Sequence, residues 1–123
     1  FMPGKPQVWY LDLFAGRNDY AAMERAGKDG HKEINRTNLT AADAEARLGL
    51  DVVQKQLALL KMRGAYDVFS PDAAISAAAE GSRLELRWER GEEEALLTAD
   101  FADSAFRIVV RRGVETLFTF SQA

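Results

Sequence analysis

The sequence predicts an α+β domain in which helices occupy the first two thirds and the last third supplies most of a largely antiparallel sheet of about five or six strands. Three observations carry this. Leu84, Leu86 and Trp88 alternate with Arg83, Glu85, Arg87 and Glu89, the period of a strand with one buried and one wet face. Residues Leu39 to Val68 hold two helix-period segments joined by a tight glycine turn. The chain has 123 residues, of which 47% are hydrophobic and 28% charged, which suits one domain over 1–123 with a real core.

Taken in order, Val8 to Phe14 (VWYLDLF) is rich in β-branched and aromatic types and reads as a central strand ending at Ala15-Gly16. Phe1, ahead of Met2, reads as a residue left over from expression and is set aside. Asn18 or Asp19 can cap a helix through Tyr20, Met23 and Ala26, which Gly27 and Gly30 stop. The polar stretch Lys28 to Asn38 reads as a loop or a short solvated helix. Thr40 with Asp43 has the spacing of a capping box, so a helix is expected from Ala41 to Leu48, closed by Gly49.

Asp51 then caps a second helix whose Val53, Leu57 and Leu60 share one stripe, ending at Gly64. Tyr66 to Phe69 reads as a short strand, and Ser70-Pro71-Asp72 as the start of an alanine-rich helix over Ala73 to Ala79. Two consecutive hairpins fill 83–121. The first turns at Arg90-Gly91-Glu92 and places Ala95, Leu97, Ala99 and Phe101 inward. The second places Phe106, Ile108 and Val110 before a turn at Arg112-Gly113, with Thr116, Phe118 and Phe120 after it.

The inventory excludes several chemistries. There is no cysteine, which removes disulfides, thiol nucleophiles and thiolate metal sites, and no cofactor or metal cluster is indicated. A net charge of −3 counts against whole-surface attraction to nucleic acid or anionic lipid. No apolar run is long enough to cross a bilayer and FMPGKPQ lacks the apolar core of a secretory signal, so a cytoplasmic protein without membrane contact is expected.

Residues 39–68 resemble the winged helix-turn-helix superfamily, with Leu48, Gly49 and Leu50 matching its turn and Val53, Leu57, Leu60 and Gly64 its helix ladder. The resemblance implies a recognition helix and a wing, with Gln54, Lys55 and Lys61 as helix contacts to DNA and Arg87 and Arg90 as wing contacts. At 100° per residue, however, the positions opposite the Val53 stripe are Lys55, Ala58, Leu59 and Met62, an apolar patch beside one lysine. Base edges and phosphates call for Arg, Lys, Asn or Gln. The expected function is therefore a non-enzymatic binding module whose exposed helix face, Lys55, Ala58, Leu59 and Met62, meets a protein partner or a second copy. A sequence-specific DNA-binding regulator is the alternative. A small ligand-binding domain or enzyme with a pocket near Asp12 is the second.

Other residues fit plainer roles. Leu11 to Gly16 (LDLFAG) resembles the glycine-bearing strand end of class I methyltransferases, but Asn18 stands where a further glycine belongs and no β-α series follows. His31 is the sole histidine and lies in a polar loop. Asp12, inside an apolar run, calls for a partner such as Arg17. Glu92-Glu93-Glu94 reads as a solvated acidic tip, and the arginines at 83, 87, 107, 111 and 112 as partners of interleaved glutamates.

Overall fold

The structure, a computed structural model, describes residues 1–122. The chain divides into two compact units, Pro6–Leu60 on one hand and Phe1–Lys5 with Lys61–Ala123 on the other.

The first unit is helical. Where a central strand is predicted, the chain instead makes one helical turn, α1 (Tyr10–Leu13). An apolar run of this length does not by itself distinguish strand from buried helix, and here the local geometry decides. The N–H of Gly16 donates to the Leu11 carbonyl at 2.7 Å, and Ala15 sits at φ 50°, so the backbone folds back over a buried Leu11. Trp9 Nε1 donates to the Asn35 carbonyl and the Tyr10 hydroxyl to that of Thr37, each at 2.8 Å. Asp12 ends on the exposed side of this turn, which removes the need for a buried ion pair with Arg17.

Helix α2 (Tyr20–Ala26) begins as expected, with the Asp19 carboxylate accepting from the Ala22 N–H at 2.8 Å. A 3₁₀ segment, Gly27–Lys32, follows it and includes His31. Helix α3 (Ala41–Arg47) carries the expected capping box between Thr40 and Asp43. Helix α4 (Asp51–Ala65) follows after the short Gly49-Leu50 turn.

The second unit is built on a five-stranded antiparallel meander in the order β1-β2-β3-β4-β5, comprising β1 (Ala74–Glu80), β2 (Arg83–Arg90), β3 (Glu93–Asp100), β4 (Ala105–Arg112) and β5 (Glu115–Gln122). Both expected hairpins are present, as β2-β3 and β4-β5. The alanine-rich segment expected to be a helix is strand β1, and Tyr66 to Phe69, expected to be a strand, contains the 3₁₀ turn Asp67–Phe69. Alanine's helix preference is worth only tenths of a kcal/mol per residue over its neighbours, roughly, and seven cross-strand partners on β2 outweigh it.

Three of the four strand connections are two-residue turns, Gly81-Ser82, Gly91-Glu92 and Gly113-Val114. In each the glycine takes positive φ, 58°, 57° and 54°, and the residue after it does not, which is the type II′ arrangement that suits strand twist.

Register sorts the side chains into two faces. Ile75, Trp88, Ala95, Val110 and Phe118 form one cross-strand row, and the next apolar row on the same face is Ala77, Leu86, Leu97, Ile108 and Phe120. Trp88, Ala95, Ile108 and Val110 are buried, as are Val68 and Phe69, whose ring meets Trp88 edge-on at 5.6 Å. Phe1 also belongs to this cluster, against the expectation that it is irrelevant. Its ring meets Phe69 at 5.4 Å and its carbonyl accepts from Trp88 Nε1 at 2.8 Å. Phe101, expected inward, lies past the end of β3 and is exposed. Thr116, expected in the row of Phe118, is displaced by a register shift at Val110/Arg111 and pairs with Arg111.

Candidate functional site

A concavity of about 860 Å³ opens at the Gly81-Ser82 end of the sheet, within the size range of small-molecule sites. Its centre is the cross-strand row Ala79, Leu84, Ala99 and Phe106, flanked by the rows Glu80–Arg83–Asp100–Ala105 and Ala78–Glu85–Thr98–Arg107. Four consecutive strands thus contribute to one depression. Phe106 is backed by Phe120, the rings stacked at 5.7 Å and 25°.

Asp100 anchors the rim. It accepts from the Ser82 hydroxyl at 2.6 Å, the Ala102 N–H at 3.1 Å and Arg83 Nε at 3.2 Å. The Ser82 hydrogen bond first, then that of Ala102 and that of Arg83, hold its carboxyl below the usual aspartate range. An acid held ionised in this way accepts hydrogen bonds but is poorly suited to donate a proton at neutral pH. Among the described residues Arg107 has no carboxylate within 4.0 Å. The lining offers apolar surface with a few polar groups, which can hold a ligand.

A second constellation is the slot around Arg63. Its guanidinium lies over Phe69 and Trp88, 4.6 Å and 4.8 Å from their centroids, and donates to the carbonyls of Phe69 at 2.7 Å and Gly4 at 3.2 Å. Desolvation lowers the pKa of Arg63, which is the mark of a cation held for packing. Among the described residues no group of three or more His, Asp or Glu is placed to hold a metal ion.

The residues singled out in the sequence fall elsewhere. On α4, Lys55 pairs with Asp51 at 2.7 Å, Ala58 is exposed and Leu59 is half-buried. Met62, expected on the outward face, is 4% exposed and belongs to the core. A helical projection assumes a single buried stripe, whereas both Val53 and Met62 are buried on this helix. Gln54 donates to the Leu48 carbonyl, and Lys61 is exposed. The expected wing arginines are engaged by carboxylates, Arg87 by Glu94 and by Glu85 at 3.1 Å, Arg90 by Asp72 at 3.1 Å and Asp67 at 3.8 Å. Neither is left to meet a phosphate. The acidic tip is only partly solvated, because Glu93 accepts from Arg112 at 2.7 Å and from the Val68 N–H at 3.0 Å.

No family model matches the chain. Over 108 residues it is 53% identical to a sucrose 6(F)-phosphate phosphorylase from Ilumatobacter coccineus, covering 88% of this chain and 20% of that protein. The chain resembles part of a sucrose-type phosphorylase. A sucrose 6(F)-phosphate phosphorylase from Thermoanaerobacterium thermosaccharolyticum is 34% identical over 100 residues, covering 81% of the chain and 20% of the relative. A glucosylglycerol phosphorylase from Marinobacter adhaerens is 34% identical over 109 residues, covering 89% and 22%. The crystal structure of sucrose 6F-phosphate phosphorylase from Thermoanaerobacter thermosaccharolyticum superposes with a TM-score of 0.78 at 27% identity, covering 94% of this chain and 23% of that one.

These phosphorylase matches overturn four expectations. The chain is similar to phosphorylases and not to winged helix-turn-helix proteins, although α3, the Gly49 turn and α4 do satisfy that motif's local pattern. The readings as a DNA-binding regulator and as a pure interaction module fall with it, and so does the expectation of a non-enzyme, since these relatives are named enzymes. The chain spans about a fifth of the length of the phosphorylases it matches. The Asp100 rim and the Arg63 slot were missed because their members are far apart in sequence; the cross-strand pairing of Arg83 with Asp100 is the one signal a hairpin register could have supplied.

Proposed function

We propose that the chain is the C-terminal segment of a phosphorylase acting on sucrose 6(F)-phosphate. The 53% identity to the Ilumatobacter coccineus enzyme carries the reading, and the TM-score of 0.78 against a solved enzyme of the same name supports it. In such a reaction inorganic phosphate attacks the glycosidic carbon, the bond to the bridging oxygen breaks, and a hexose 1-phosphate and fructose 6-phosphate leave. In this reading the chain contributes a sheet unit to an enzyme more than about four times its length.

The cytoplasm is part of the same proposal. A sugar phosphate is charged and does not cross a bilayer unaided, and among the described residues no helix is long and apolar enough to span a membrane. The test is phosphate-dependent release of hexose 1-phosphate by the native polypeptide that carries this sequence, offered sucrose 6(F)-phosphate, sucrose and glucosylglycerol separately. Fastest turnover of sucrose 6(F)-phosphate is expected. Release from none of the three would overturn the assignment, and preference for either of the others would overturn the substrate.

A further inference from the structure

We propose that Phe1–Lys5 is a strap by which the sheet unit grips the polypeptide that runs into it, seated in the slot of Arg63, Phe69 and Trp88. This rests on the reading of the chain as the C-terminal segment of a longer enzyme. Although Pro6–Leu60 separates these first residues from Lys61–Ala123 in sequence, they belong to the same compact unit as the sheet. Three contacts make the seat. The Phe1 ring stands edge-on to Phe69 at 5.4 Å and 82°. The Phe1 carbonyl accepts from Trp88 Nε1 at 2.8 Å, and the Gly4 carbonyl from Arg63 Nη2 at 3.2 Å. The residues that hold the strap also touch one another, since the Arg63 guanidinium lies over both rings and Phe69 meets Trp88 edge-on. One cluster therefore grips two carbonyls of the strap, three residues apart.

The core of the sheet needs the strap as much as the strap needs the core. Trp88 is buried, so its indole N–H cannot turn to water, and a buried donor left without an acceptor costs free energy. The acceptor that answers it is the main chain of Phe1, which lies outside the sheet. The strap is also shaped before it is seated. Pro3 and Pro6 each fix their own φ, which leaves fewer conformations to lose, and Gly4 takes φ 98°, a bend that glycine makes readily. Two of the three contacts are made to carbonyls, so the slot reads the path of the backbone together with one aromatic ring. In the whole enzyme this fixes the point at which the preceding polypeptide meets the sheet.

Chymotrypsin added to the native polypeptide that carries this sequence tests the strap, because cleavage after Phe1 requires that ring to leave Phe69 and enter the protease. The cut is recognised by a new N-terminus at Met2. Proteolysis of a transiently opened segment follows the open population. Trp88→Phe keeps a ring and removes the donor, and Arg63→Lys removes the planar fork that reaches the Gly4 and Phe69 carbonyls together. Each should speed the cut after Phe1 by about tenfold or more. Tyr66→Phe removes a hydrogen bond of the same unit outside the slot, to the Leu117 carbonyl at 3.1 Å, and should leave the rate unchanged. Rapid cleavage after Phe1 in the unmodified protein would overturn the proposal. So would equal rates in the unmodified protein and the slot variants, or a Tyr66→Phe protein cut as fast as they are. Arg63→Lys keeps the test decisive if Trp88→Phe does not fold. Phosphorolysis by the unmodified polypeptide, measured alongside, separates a failure of the strap from a failure of the phosphorylase reading.

Discussion

Arg63 lies over the ring of Trp88, the guanidinium 4.8 Å from the ring centroid while Trp88 is 2% exposed. The same arginine satisfies the Phe69 and Gly4 carbonyls, so it links the end of α4 to the 3₁₀ turn and to the first residues. A desolvated cation on an aromatic face contributes up to about 2 kcal/mol, and each hydrogen bond from it adds a similar or smaller amount. Arg63→Ala is expected to destabilise the sheet unit by about 2–3 kcal/mol. Arg63→Lys should recover less than half of that, because an ammonium cannot spread over two rings while donating in a planar fork. Urea unfolding followed by Trp fluorescence measures both; a loss below about 0.5 kcal/mol would show the slot to be ornamental.

Glu93 gives the unit a pH dependence. Its carboxylate accepts from Arg112 Nη2 at 2.7 Å and from the Val68 N–H at 3.0 Å, and its side chain is 10% exposed. The Arg112 hydrogen bond, the largest effect, and the Val68 N–H lower its pKa, opposed by partial burial. A carboxyl depressed in the folded state contributes stability that is fully present above its unfolded pKa and is lost as pH falls through the folded one. Stability should therefore decline from about pH 5 downward. In Glu93→Gln this share of the decline should vanish, leaving a less stable protein at pH 7 with a shallower acid slope. Parallel slopes for the two proteins between neutral and acid pH would remove Glu93 as a source.

The sheet was legible in the sequence because alternation and glycine turns are local. Arg83 to Phe101 and Phe106 to Phe120 carry both signals, and the register follows from them. Strand β1 was not legible, since alanine and a Ser-Pro start favour a helix until β2 is there to pair with it. Residues 8–14 failed in the opposite direction: the apolar run fits a strand, but the Gly16 return onto Leu11 makes a helical turn. The helix-turn-helix reading rested on spacing that α3 and α4 do have, and spacing over so short a span does not choose between families. The concavity was hidden because four strands build it, and strand order had to be known first.

Gly30 is required by close approach. A Cβ there would lie 1.9 Å from the Met23 carbonyl oxygen, a backbone atom of α2 that cannot swing aside. Gly30→Ala must therefore separate the 3₁₀ segment from α2, at about 3 kcal/mol or more. Hydrogen exchange should show amides of residues 20–32 losing protection while those of β2 to β4 keep theirs. Retained protection at 20–32 would mean the segment shifts without cost.

The turn glycines are required for a different reason, since a Cβ at Gly81, Gly91 or Gly113 would meet nothing within 4 Å. Each sits at positive φ, where an L side chain costs roughly 1–2 kcal/mol through its own backbone. Gly91→Ala and Gly113→Ala are each expected to lower stability by about 1 kcal/mol, and the asparagine versions by less, because asparagine tolerates the left-handed region. The two hairpins share no strand, but their turns touch, the Gly113 N–H donating to the Glu92 carbonyl at 2.9 Å, so the double variant should depart from the sum of the singles by more than about 0.5 kcal/mol. Thermal unfolding of the singles and the double decides this. Equal stability of the alanine and asparagine versions would show that φ is not what these positions demand.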